Sequence, residues 1–391
     1  MTGPVTAAYL DYNATAPVRP EAAAAVAAAL RRGGNPSSVH AAGREVRALV
    51  ETARAQVAAL VNGPREGVIF TAGGTEAAHL ALQGVAQANG VTDLIISAVE
   101  HSAVQGAARH SGLPVRELPV NGEGLADLEA LDRMLAEVRQ KDGNALVALM
   151  LANNETGVIQ PVSEAARLTH DADGLLYTDA VQGPGKCRVD MAALGADLLS
   201  LSAHKLGGPQ GAGALILRDG LAVTPLLRGG GQEFNRRAGT ENVPGIAGFG
   251  AAAALAAADS EAAARMQNLR DGLEARMEAA VPQVRFFGRT APRLPNTTCA
   301  AVPGVAAETL VMALDLEGIA VSSGAACSSG KVTPSHVLAA MGVEEDLTPA
   351  AIRISLGWAS REGDIERFLA AWTGHIERAG KRTRETASLE A

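Results

Sequence analysis

The amino-acid sequence predicts an α/β fold with a mainly parallel, buried sheet, and three observations carry that prediction. Short apolar runs alternate with helix-patterned stretches through residues 20–218. The runs are apolar enough to be strands covered on both faces, as in parallel sheets flanked by helices. Polar, chemically versatile residues follow one run after another, at the strand ends where such sheets bind their ligands.

In chain order, the helical pattern covers 20–31 and 41–60. The first strand reads 67–71, a helix follows over 76–88, and strand 93–99 leads to a helix over 102–111. A helix over 125–140 precedes the very apolar strand 145–151. A helix over 161–172 precedes strands 175–179, 198–202 and 212–218. With 43 Gly, long Ala runs and only 3% aromatic residues, the core must be built from Ala, Val and Leu. Beyond about Gly250 the pattern changes. One long Ala-rich helix over 251–280, with Glu, Arg and Asp on one side, leads into a smaller α+β region over 281–375, and the polar tail from 377 is expected to fray.

At 391 residues the chain has room for two or three domains of roughly 100–200 residues each. Scarce aromatics argue against a base-stacking platform, and a formal net charge of −8 repels phosphate backbones, so no direct nucleic-acid partner is expected. Residues 1–10 lack a basic region followed by an apolar core, and the most apolar stretch, 246–258, is too short to span a bilayer. A cytoplasmic protein without a membrane partner is the expectation. Three cysteines, Cys187, Cys299 and Cys327, stand at no CxxC spacing. That argues against structural zinc, fits a reducing compartment, and leaves open whether one of them is a working thiol.

The post-strand motifs each allow a functional and a structural role. Gly73-Gly74-Thr75-Glu76 opens a helix and reads as a phosphate cup, or as a plain glycine turn with a Thr cap. His101 follows the next strand, as a working imidazole or a structural one. Asn153-Asn154-Glu155-Thr156-Gly157 crowds polar groups at the end of a buried strand, to bond a ligand or to cap the helix after Pro161. Asp179, with Gln182 three residues on, places a carboxylate at the sheet mouth, to meet a ring-nitrogen cation or a local Arg or Lys. Ser202-Ala203-His204-Lys205 ends a strand with a lysine suited to a Schiff base, or with an ordinary exposed one. In this order the motifs supply a phosphate cup, a ring to stack, a donor to a phenolate, an acid for a pyridine nitrogen and a Schiff-base lysine. Pyridoxal phosphate requires that set.

On these residues the sequence resembles the cysteine desulfurases of the NifS/IscS type, in the class V aminotransferase group of fold-type I pyridoxal-phosphate enzymes. Further matching stretches are residues 9–15, 35–40, 229–233, 237–242, Pro295-Asn296-Thr297, Ser335-His336-Val337 and Arg353-Ile354-Ser355. The loop Ser322-Ser323-Gly324-Ala325-Ala326-Cys327-Ser328-Ser329-Gly330 is the feature that separates desulfurases from sister aminotransferases.

The resemblance implies a three-layer αβα large domain over 15–258, and a smaller α+β domain from 1–14 and 259–391 that carries the cysteine loop 322–330. It implies that Lys205 holds the cofactor, Asp179 pairs with the ring nitrogen, and His101 stacks on the ring and moves protons. Gln182 and Asn154 would bond near the ring oxygen, while Gly74, Thr75, Ser202 and His204 hold the phosphate. Thr240 would reach the phosphate of the other subunit of a homodimer. Arg353, with Asn13 and Asn154, would bind the substrate carboxylate. Cys327 would be the nucleophile and a transient iron–sulfur ligand, with no other metal site. Cys299 falls in a predicted strand over 297–302, and Cys187 follows Gly185-Lys186 in a turn with no assigned role. Tyr177, Ala72, Ala78-His79 and Gln210 depart from the family pattern, and none is expected to touch an assigned residue.

The implied reaction takes sulfur from L-cysteine. Lys205 removes the α-proton, the ring absorbs the carbanion charge, and the Cys327 thiolate attacks the substrate sulfur. A Cys327 persulfide and L-alanine result, and the loop passes the sulfur to a protein acceptor such as an iron–sulfur scaffold. A selenocysteine lyase, another class V reaction and a non-catalytic scaffold for sulfur-assembly partners stand as alternatives.

Overall fold

A computed structural model describes residues 8–324, 327–328, 331–332 and 335–389, with side chains over 8–324 and 335–379. A seven-stranded sheet runs Val68–Thr71, Gly213–Leu217, Leu198–Ser202, Leu175–Asp179, Ala145–Ala148, Asp93–Ser97, Val115–Leu118 from edge to edge. Only Gly213–Leu217 is antiparallel to its neighbours, and every other pairing is parallel. Alternate residues of each strand feed opposite cores, as the two-residue period dictates. Val147, Leu176 and Leu199 face helices Ala41–Leu60, Leu128–Arg139, Val162–Asp171 and Val243–Ala258. Leu146, Leu175 and Leu198 face the helical stretch from Gly74 to Ala88 and the helix Ser102–Arg109. The fold is therefore the expected three-layer α/β arrangement.

The sequence pattern missed the edge strand Val115–Leu118, whose exposed Val115 and short Val-Arg-Glu-Leu run give no buried signature. The expected single helix over 251–280 is two helices, Val243–Ala258 and Ala262–Ala280, bent by 75°. Asp259 ends the first with ψ 75°, outside the helical range, and its carboxylate accepts from Arg265 at 3.2 Å. Unbroken Ala on both sides hid the Asp259-Ser260 break. The first helix packs closely on its neighbours because it carries glycine: a Cβ at Gly250 would lie 2.6 Å from Ala53 Cα.

A second, antiparallel sheet of Ser322–Ser323, Ala351–Ser355, Thr297–Ala301 and Arg285–Phe286 has its own apolar cluster. Helices Ala262–Ala280, Ala307–Leu316 and Glu362–Leu389 cover it, with Phe368 stacked on Trp372 at 6.3 Å. The tail expected to fray from 377 continues this last helix to Leu389. Ala8–Tyr9 crosses to this side and pairs with Ile319–Ala320. No single helix among the described residues is long and apolar enough to cross a membrane.

Beside the edge strand Val68–Thr71, Glu233, Phe234 and Asn235 take positive φ in succession, at 46°, 57° and 64°. Left-handed backbone disfavours each by roughly 1–2 kcal/mol. The buried Glu233 carboxylate holds the turn, accepting from Arg54 Nη1 and Nη2 at 2.8 and 2.9 Å and from Phe70 N–H at 3.0 Å. Glu233→Ala strands the Arg54 guanidinium, so urea unfolding should show a loss of about 3 kcal/mol.

Candidate active site

The polar ends of successive strands converge on one cavity of about 240 Å³ at the carboxyl edge of the large sheet. Gly74, Thr75, His101, Asn154, Asp179, Gln182, Ser202, His204 and Lys205 all line it. A larger groove of about 590 Å³ beside Cys187 and Arg188 holds none of them.

At one end, Gly74 begins the helical stretch that continues to Ala88, with Thr75 next. A Cβ at Gly74 would sit 3.0 Å from Val181 Cγ2 and 3.8 Å from Ser202 Cβ, so glycine keeps open the gap between the helix N-terminus and Ser202. Free N–H groups, two hydroxyls and an imidazole there suit a phosphate. His204 Nδ1 lies 3.2 Å from Thr15 Oγ1, and burial followed by the Lys205 charge lowers its pKa to about 4.

Asp179 meets no Arg or Lys in an ion pair among the described residues. Its Oδ1 accepts from Val181 N–H at 3.0 Å and Ser200 Oγ at 3.1 Å, and Tyr177 donates to Ser200 at 2.9 Å. Tyr177, expected to touch nothing assigned, thus backs Asp179 through one hydroxyl. A carboxylate so held at the wall of a cavity fits a protonated ring nitrogen. Beside it, His101 Nδ1 accepts from Ala103 N–H at 3.1 Å, capping Ser102–Arg109. In the neutral ring the proton therefore belongs on Nε2, and burial lowers the His101 pKa. Asn153, not Asn154, serves the local turn: its Oδ1 accepts from Glu155 and Thr156 N–H, and neither residue caps the following helix.

Lys205 is half-buried, its Nζ donating to the carbonyls of Asn13 at 2.6 Å and Ala14 at 2.8 Å. Burial, then the Arg353 charge, lowers its pKa to about 8. Arg353 binds Asp11 Oδ1 at 2.7 Å and the Asn154 carbonyl at 3.1 Å, while its buried Nε has no partner among the described residues. An orphaned guanidinium nitrogen beside the cavity is a donor in want of an anion. Asn13 lies against both Asn154 and Lys205. Both ends of its amide are engaged by protein, Nδ2 with Asn154 O and Thr297 Oγ1, Oδ1 with Lys186 Nζ and Asn296 Nδ2.

Thr240 lies in a separate cleft of about 200 Å³ with Ala72, Arg237 and Glu241, linked to the Gly74 helix by the Arg237–Glu76 ion pair. The backbone of Cys327–Ser328 pairs with Lys331–Val332, while residues 325–326 and 329–330 of the expected loop 322–330, and the Cys327 side chain, lie outside the described residues. Gly324 N–H is pinned to the Ala351 carbonyl at 2.6 Å before the loop, and Ser335 donates to Glu155 Oε2 at 2.5 Å after it. Cys299 is fully buried in Thr297–Ala301, with its pKa pushed well up by burial. Burial likewise raises the Cys187 thiol to about 11.

Two groups that the sequence reading left without a role are buried here. Lys186 sits under the cavity in the turn after Gln182. Glu100 is fully buried, with burial and then Asp179 holding its carboxyl well above the ordinary range. Its Oε1 accepts from Met150 N–H, and Oε2 has no partner among the described residues. Neither signal was legible, since a Lys or Glu in a sequence is by default exposed.

These features define an enzyme of the class V aminotransferase group, and the chain belongs to that family: the aminotransferase class-V model matches residues 8–368. More narrowly, its relatives are cysteine desulfurases. It is 44% identical to the cysteine desulfurase of Cereibacter sphaeroides, covering 92% of this chain and 93% of that one. It is 41% identical to the cysteine desulfurase IscS of Dictyoglomus turgidum, over 95% and 94% of the two chains. The solved structure of a NifS-like protein from Rickettsia africae superposes with a TM-score of 0.86 at 36% identity, over 94% of this chain and 99% of that one.

The lowered Lys205 pKa has a direct test. In cofactor-free protein, labelling of Lys205 by an amine-selective reagent should rise through about pH 8, well below the ~10.4 of an exposed lysine. Arg353→Ala removes a positive neighbour and should move that midpoint upward, read by peptide mass spectrometry across pH.

Proposed function

We propose that this chain is a cysteine desulfurase that uses pyridoxal 5′-phosphate to turn L-cysteine into L-alanine and a persulfide on Cys327. The observation that carries the reading is the meeting, in one cavity, of Lys205, the ion-pair-free Asp179 and the Gly74–Thr75 anion cup, with Arg353 beside it. Gly74, Thr75, Ser202 and His204 hold the phosphate, Asp179 the ring nitrogen, Gln182 and Asn154 the ring oxygen, and His101 covers the ring. When bound, the cofactor supplies an aldehyde for the amino group and an electron-accepting ring.

The protein does the rest. Arg353 holds the substrate carboxylate through its unpartnered Nε, with Asn13 and Asn154 setting its angle. Lys205, a free base above about pH 8, takes the Cα proton and can return it to carbon. His101 Nε2, neutral near pH 7, carries a proton at the ring face. The Cys327 thiolate attacks the substrate sulfur. The new S–S bond forms as the sulfur–Cβ bond breaks, its electron pair stays with the substrate, and protonation at Cβ yields alanine. The persulfide then passes to a protein acceptor, an iron–sulfur scaffold by the family resemblance, with Cys327 as a transient iron–sulfur ligand.

The chain works as a cytoplasmic sulfurtransferase and a homodimer, with Thr240 completing the phosphate site of the partner subunit. Its large domain spans 15–258 and its small domain joins 1–14 to 259–391, an assignment supported by the helix break at Asp259 and the separate apolar clusters.

Incubation with L-cysteine and pyridoxal phosphate should add the mass of one sulfur to the Cys327 peptide and release alanine. Cys327→Ser should lower sulfur release by at least about 10³-fold. A keto acid in place of alanine, or alanine without sulfur at Cys327, overturns the reading. Selenium release from selenocysteine surviving in the Ser variant would favour a selenocysteine lyase.

A further inference from the structure

We infer that Lys186 is a positioning residue of this site: it fixes which end of the Gln182 amide faces the cavity, and so presents an N–H donor there. The inference rests on the proposed function, because the acceptor it serves is the ring oxygen of pyridoxal phosphate.

Lys186 is 5% exposed, in the turn that follows Gln182. Its Nζ donates to Gln182 Oε1, and to Asn13 Oδ1 at 3.0 Å. The other end of the Gln182 amide, Nε2, donates to the Asn13 carbonyl at 3.0 Å. Turning the amide over would set N–H against the lysine donor and oxygen against a carbonyl oxygen, losing both bonds. The orientation is therefore dictated by hydrogen-bond chemistry. One Nε2 hydrogen is spent on Asn13, and the second is left to a side chain that lines the cavity. An acceptor oxygen in the cavity meets a donor.

The same lysine fixes Asn13. With Oδ1 taken by Lys186 and by Asn296 Nδ2 at 3.1 Å, Nδ2 must turn to Asn154 O at 3.1 Å and Thr297 Oγ1 at 2.9 Å. That Asn154 carbonyl also receives Arg353 Nη1. One amine thus sets the amides under both the ring-oxygen and the carboxylate ends of the site. Lys186 has no carboxylate in an ion pair among the described residues.

A double-mutant cycle tests this with pyridoxal phosphate as probe, read as the dissociation constant from cofactor fluorescence on the dimeric protein. Lys186→Met and Gln182→Ala should each weaken binding by about tenfold, the loss of one hydrogen bond to a charged acceptor. The double variant should be no weaker than either single. Lys186→Met leaves the buried Gln182 Oε1 without its donor, so its thermal melt should fall below wild type. Additive losses, or a Lys186→Met affinity equal to wild type, overturn the inference. Gln182→Glu covers the case in which the Met variant does not fold. It keeps an oxygen for Lys186 but has no N–H for the Asn13 carbonyl or for the cavity, so it should bind the cofactor at least about tenfold more weakly. Wild-type affinity in that variant also overturns the inference. If wild type itself fails to bind pyridoxal phosphate, the functional proposal has failed instead.

Discussion

Asn13 is buried, and its polar atoms reach into three parts of the chain at once. Its N–H donates to Ser355 Oγ and its amide reaches Thr297 and Asn296, all on or beside the small sheet. Its carbonyl receives Gln182 and Lys205, and its amide receives Lys186, all from loops at the mouth of the large sheet. Polar groups withdrawn from water lose free energy when left unpaired, so a shift of either sheet would orphan several partners together. This one asparagine registers the strand that carries Arg353 against the cavity that holds Lys205. The N-terminal segment can do this because Ala8–Tyr9 is already bound into the small-sheet side through Ile319–Ala320.

Charge follows from that registry. Arg353, Lys186 and Lys205 are brought close enough to influence one another, with Asp11 and Asp179 as the nearby carboxylates and burial holding the Glu100 carboxyl well above its ordinary range. Burial first, and then the Arg353 charge, makes Lys205 a base near neutral pH, and an anionic substrate or phosphate would relieve the second of these. The site is tuned in the absence of its ligands to be completed by negative charge.

Sequence reading reached the sheet and most of the cavity for one reason. In a doubly covered parallel sheet the strands announce themselves by apolarity, and the ligand-facing residues come directly after them. Asp179, His101 and Lys205 stand out by their positions after strands, and the structure brings all three to one cavity. What escaped notice had no local mark. The edge strand Val115–Leu118 alternates exposed and buried residues, and the bend at Asp259 interrupts a run of alanines. Lys186 and Glu100 owe their burial to groups far along the chain: Asn13 lies 173 residues from Lys186.

The pinning of Gly324 to Ala351 carries a consequence for sulfur delivery. Cys327 is three residues beyond that pin, and a fully extended chain spans at most about 3.6 Å per residue. Its Cα therefore stays within about 11 Å of Gly324 in any conformation that keeps the bond. On the proposed function this is a short tether. A receiving protein must bring its own acceptor atom inside that radius, and so must be shaped to reach the rim of the small sheet rather than wait for the sulfur to travel.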